Sequence, residues 1–149
     1  MIEFPKHFKL SELLTTGTGL PNVPTWEQAE NLRKLGNMLD RIRQRFGGPI
    51  AVNSAFRSEN VNRSVGGSNT SAHLKGLAAD IRPASGKQED FAKLRTVIEN
   101  LWASASSKPV SGVISPDQFI IYRKDGTKEY RFFHVGFATE RPRRQTLEK

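Results

Sequence analysis

Apolar residues recur at helical spacing from Trp26 through Ala29, Leu32, Leu35, Leu39, Ile42 and Phe46, which predicts an amphipathic helix over 25–46. Thr25 and Gln28 have the spacing of a capping box, in which each side chain satisfies a free backbone N–H, and Gly47-Gly48 supplies the stop. A second periodic run from Lys87 to Trp102 puts Phe91, Leu94, Val97, Ile98 and Leu101 on one face. Between these helices the pattern shortens. "PIAVNS" and "GLAADI" read as strands, and "SENVNRSV" as a turn of helix capped by Ser58 and stopped by Gly66-Gly67. Downstream, "VSGVI", "DQFIIYR" and "EYRFFHVGF" read as three more strands. Asp125-Gly126 forms a two-residue hairpin loop between the last two. Mixed helices and strands ending in a hairpin predict an α+β fold: a small antiparallel sheet with helices packed on it.

At 149 residues the chain is long enough for one self-sufficient core, and we expect a single domain over 1–137 followed by a polar, loosely held tail, 138–149. The N-terminal stretch "MIEFPKHFKLSELL" alternates charged and apolar residues and lacks the continuous apolar stretch of a secretory signal. The expectation is a protein made in the cytoplasm and not exported by that route, with no membrane insertion. With no cysteine, disulfides and thiolate metal sites are excluded. The net charge of +8 suits an anionic partner, but the basic residues are scattered, which argues against a dedicated nucleic-acid surface.

Chemistry concentrates in "SAFRSENVNRSVGGSNTSAHLKGLAADIRP", residues 54–83. Asp80 sits in an apolar strand, on the face it shares with Ala78 and Arg82, opposite Leu77, Ala79 and Ile81. His134 sits inside the apolar strand "FFHVGF". Taken singly, Asp80 could face water or pair with Arg82, and His134 could be a satisfied core residue. Together with His73 they are two imidazoles and one carboxylate, a set that suits Zn²⁺ with a fourth position left for water. Gly76 lets the chain turn between His73 and Asp80. Arg57 is a guanidinium suited to a carboxylate or a polarised carbonyl, or to a surface ion pair. Ser71 lies beside His73, where it could as well serve a turn.

In "S-x-x-R-S", a following Asn, "G-G", "S-x-H" with Asp seven residues beyond the His, and a final "H-V" strand, the chain resembles the zinc peptidases that include D-Ala-D-Ala carboxypeptidases and L-alanyl-D-glutamate endopeptidases, many of them phage endolysins. The resemblance spans residues 4–137. It implies a hedgehog/D-Ala-D-Ala-peptidase-like fold, Zn²⁺ held by His73, Asp80 and His134, substrate contacts from Arg57 and Ser71, and hydrolysis of an amide bond in peptidoglycan stem peptides by a phage lysin or virion component. Two positions depart from the family. Arg131 stands where well-studied members carry an acidic general base, and Tyr122 where related branches carry Glu. Counting back from an Asp125-Gly126 loop places Asp117 opposite His134, as a base or as a partner fixing the His134 tautomer, and Tyr122 opposite Glu129. The missing base leaves an alternative: a wall-binding or virion module of the same fold with little or no catalysis.

Overall fold

The computed structural model describes residues 5–106, 110 and 112–149. Among the described residues, four helices and five strands follow one another: α1 (Leu10–Leu13), α2 (Trp26–Phe46), β1 (Ile50–Ser54), α3 (Glu59–Ser64), β2 (Ala78–Pro83), α4 (Gln88–Ser104), β3 (Ser115–Arg123), β4 (Tyr130–Ala138) and β5 (Gln145–Glu148). A 3₁₀ turn, Ala72–Lys75, leads into β2. The fold is α+β, as the pattern predicts.

The capping box of α2 forms as expected. The Thr25 hydroxyl accepts from the Gln28 N–H, and the Gln28 carboxamide accepts from the Thr25 N–H. Gly47 closes the helix in the left-handed region, at φ 79°. Trp26, the first residue of the periodic series, is 84% exposed and takes no part in the core, so the buried stripe begins at Leu32.

The sheet runs β1-β2-β4-β3-β5. Neighbouring strands are antiparallel except β3 and β5, which are parallel, so the sheet is mixed rather than wholly antiparallel. This corrects the expectation of a loosely held tail. Gln145–Glu148 adds an edge strand whose pairing rests on backbone hydrogen bonds and needs little apolar sequence. It is fastened by Gln118 donating to Gln145 at 3.0 Å and by the Arg123–Glu148 ion pair at 2.9 Å. "VSGVI" is also corrected. Its described residues, Val110 and 112–114, form no strand; the Val113 N–H turns back to the Val110 carbonyl at 3.0 Å, and Gly112 has φ 78°.

One face of the sheet is covered by α2 and α4. Ala79 and Ile81 of β2, Phe119 and Ile121 of β3, and Phe133, Val135 and Phe137 of β4 are buried there with Leu35, Leu39, Phe91, Leu94, Ile98 and Trp102. Phe133 packs edge-on against both Phe91 and Phe119, with centroids 5.4 Å apart in each pair. Each such side chain taken out of water contributes about 1.5–3 kcal/mol. Strand alternation sends the intervening residues, Asp80, His134, Ile120 and Tyr122 among them, to the opposite face, and there they line an open cleft of about 1080 Å³.

Candidate metal centre

Asp80 and His134 meet because β2 and β4 pair with Asp80 directly opposite His134. Asp80 Oδ1 lies 3.0 Å from His134 Nδ1. The third group arrives from the 3₁₀ turn, where His73 Nε2 lies 3.3 Å from the same oxygen. The imidazole rings of His73 and His134 sit edge to face, 5.1 Å apart. One ligand atom from each of the three residues falls within 4.8 Å of the others, the spacing of a metal-binding group.

Local structure explains how a loop and a strand converge. Ser71 caps the 3₁₀ turn, its hydroxyl accepting from the His73 N–H at 3.2 Å. Gly76 ends the turn at φ 74°, and a Cβ there would stand 2.8 Å from the Gln28 carbonyl, so both the left-handed backbone and the close approach of α2 require glycine. From α2, Gln28 donates to the Leu74 carbonyl at 3.0 Å and Asn31 to the Lys75 carbonyl at 2.9 Å. The turn that carries His73 is therefore tied to the longest helix.

The donor atoms suit a divalent cation. His73 is 3% exposed, and its Nδ1 lies 2.6 Å from the Ala55 carbonyl. A carbonyl only accepts, so Nδ1 carries the proton at that contact, and Nε2, 3.3 Å from Asp80 Oδ1, is the ring atom that faces the group. Burial works against ionisation of Asp80, but hydrogen bonds and charge from His134 and His73 outweigh it and hold its carboxyl well below the usual carboxylate range. An ionised carboxylate between two imidazoles is a ready set of ligands for Zn²⁺.

Arg57 also reaches this cluster. Its Nη2 is 3.4 Å from Asp80 Oδ2, Nη1 is 3.4 Å from Asn62 Oδ1, and Nε is 3.3 Å from Ser54 Oγ. Asn62, buried on α3, donates in turn to the Ser68 carbonyl at 2.9 Å. A Cβ on Gly67 would fall 2.1 Å from Asn62 Oδ1, so the close seat of the glycine pair against Asn62 is what needs Gly67.

Asp117 does not lie opposite His134. Ile120 does, three positions along β3 from the expected partner. Asp125 and Gly126 form the tip of the hairpin, but within a longer loop closed by the Lys124 N–H donating to the Glu129 carbonyl at 2.9 Å. Pairing slips between Tyr122 and Arg123, where Arg131 is the extra residue, and between Pro116 and Gln118, where Asp117 is. Tyr122 accordingly pairs with Phe132, not Glu129. Asp117 still lines the cleft, but its carboxylate accepts from the Arg143 backbone N–H at 2.7 Å, Nε at 3.0 Å and Nη2 at 2.8 Å. Burial works against its ionisation, and these Arg143 hydrogen bonds outweigh that and depress its pKa. Arg131 is exposed and lies over the Phe132 ring, outside the cleft lining.

A family model described as Peptidase M15 matches residues 6–105. The chain belongs to the peptidase M15 family. The matched residues of this M15 chain include His73, Asp80, Arg57 and Ser71, while His134 lies beyond them and joins the group through the pairing of β2 with β4. Peptidases of this family are zinc-dependent, in agreement with the His-Asp-His group. No curated protein matches the M15 chain in sequence. Among its described residues, no helix is long and apolar enough to cross a membrane.

Three features of the M15 cleft escape sequence reading: the Ala55 carbonyl that sets the His73 tautomer, the bracing role of Asn62, and the Arg143 clamp on Asp117. The first is a backbone group with no residue signature. The other two depend on contacts across 5 and 26 positions that no local pattern marks.

Proposed function

We propose that this chain is a zinc peptidase that hydrolyses an amide bond in peptidoglycan stem peptides, as a lysin or virion component of a phage. The observation that carries this reading is the convergence of His73, Asp80 and His134 on the floor of an open cleft within an M15 fold. His73 Nε2, Asp80 and His134 Nδ1 would hold the ion, which when bound supplies Lewis acidity and a water ionisable near neutral pH.

The chain's own residues do the rest. Arg57 contacts Asp80 at 3.4 Å and helps to orient it, and its remaining N–H donors are available to a substrate carboxylate or carbonyl. Ser71 holds the His73 turn and presents its side chain to the cleft wall. Asp117 anchors Arg143, and with it the segment 139–144 that rims the cleft. Its negative charge also acts on His134, so we assign it positioning rather than proton transfer. The net charge of +8 favours adhesion to an anionic cell wall.

A second reading, a wall-binding module with little turnover, is favoured by one observation. Besides Asp80, the described cleft is lined by two carboxylates: Asp117, taken up by Arg143, and Glu140, exposed at the rim. Digestion of purified peptidoglycan by the zinc-loaded protein separates the two. New amine termini and shortened stem peptides, measured by mass, support the peptidase. Zinc-loaded protein that binds the wall but releases nothing between about pH 5 and 9 supports the module.

A further inference from the structure

Tyr122 carries a hydroxyl that no other group in the described residues uses. It has no hydrogen-bond partner among them, yet it stands half-buried on the cleft wall. Its ring stacks on Phe132 with centroids 4.5 Å apart and planes 15° from parallel, so the phenol is held by its cross-strand partner. That pair sits one step along the same face from Ile120 and His134. Burial and then the charge of Asp80 raise the Tyr122 pKa, while Arg57 opposes them, so the ring lies within reach of the field of the metal-binding group and keeps its proton at neutral pH. Arg57, the guanidinium that contacts Asp80, already spends three of its N–H groups on Ser54, Asn62 and Asp80.

We propose that the Tyr122 hydroxyl is a catalytic hydrogen-bond donor that contacts the scissile carbonyl oxygen and holds it as it becomes an oxyanion. This rests on the peptidase reading above. Hydrolysis converts that oxygen from a neutral acceptor to a charged one, so a fixed neutral donor gains most as the charge develops. The phenol keeps its proton throughout, and no bond to Tyr122 forms or breaks. Stacking on Phe132 restricts the ring beforehand, so little reorganisation accompanies the reaction.

The test uses the zinc-loaded protein and Tyr122→Phe, which keeps the ring and removes the hydroxyl. Calorimetry measures binding of two stem pentapeptide phosphinates, with tetrahedral phosphorus replacing either the L-Ala–D-Glu or the D-Ala–D-Ala amide, alongside the unmodified pentapeptide. The expected result for Tyr122→Phe is unchanged zinc content, pentapeptide affinity within about twofold, and affinity for the preferred phosphinate and kcat both reduced about 10²-fold. Unchanged phosphinate affinity, or equal weakening of phosphinate and pentapeptide, overturns the assignment, the latter because it marks a role for the ring alone. If the wild-type protein neither binds a phosphinate nor cleaves peptidoglycan, the peptidase reading itself falls and takes this assignment with it.

Discussion

Asp80 and His134 are cross-strand partners on β2 and β4, with Asp80 Oδ1 3.0 Å from His134 Nδ1. The pair joins a residue inside the matched M15 segment to one outside it, and only the sheet brings them together. His134→Ala should therefore fold, because its side chain lies on the cleft face and not in the core, but lose stoichiometric zinc. Metal analysis after dialysis, with circular dichroism as the control for folding, checks this.

Arg57 touches Asp80 but is not one of the three clustered donors. Arg57→Ala should retain zinc and lower kcat/KM on peptidoglycan fragments by about 10-fold or more, and Arg57→Lys should not restore it, because a lysine cannot reach Ser54, Asn62 and Asp80 at once. Unchanged kinetics in Arg57→Ala would reduce the residue to an ion pair with Asp80.

Gly76 is placed where both backbone and neighbours exclude a side chain. Gly76→Ala should destabilise the fold by about 1–3 kcal/mol and loosen the turn that carries His73. Urea midpoints give the first effect. The second would appear as weaker zinc retention at a temperature where the variant is still folded.

The pH dependence of stability should carry a contribution from Asp117. Its folded pKa lies below the ordinary value, with Arg143 outweighing the opposing effect of burial. Its stabilisation is thus complete above the unfolded pKa of about 3.9 and is lost as pH falls through the folded value. The stability gap between wild type and Asp117→Asn, read from urea midpoints, should be constant from about pH 8 to pH 5 and close in acid below about pH 4. A gap that does not change with pH would contradict the clamp.

Residues near each other in sequence were the most legible. The α2 cap at Thr25, its stop at Gly47 and the Ser58 cap of α3 each depend on a few neighbouring residues, and each forms as the pattern predicts. Alternation in "LAADI" correctly placed Asp80 away from the core, and Gly76 correctly marked where the His73 loop must turn. The Asp117 register failed because extra residues at Asp117 and Arg131 and a longer turn shift the pairing, and each leaves the hydrophobic alternation locally plausible. β5 was illegible for a different reason. A short edge strand of polar residues is held by its neighbour's backbone, and nothing in "QTLE" announces that.

A metal held by His73, Asp80 and His134 underlies every role assigned to the cleft. Zinc content per chain, measured on the dialysed wild type and on His73→Ala, Asp80→Ala and His134→Ala, tests it most directly. The wild type should hold one zinc per chain, and none should be retained by any of the three variants that remain folded. A wild-type chain that holds no zinc, or a folded variant that keeps one per chain, would contradict it.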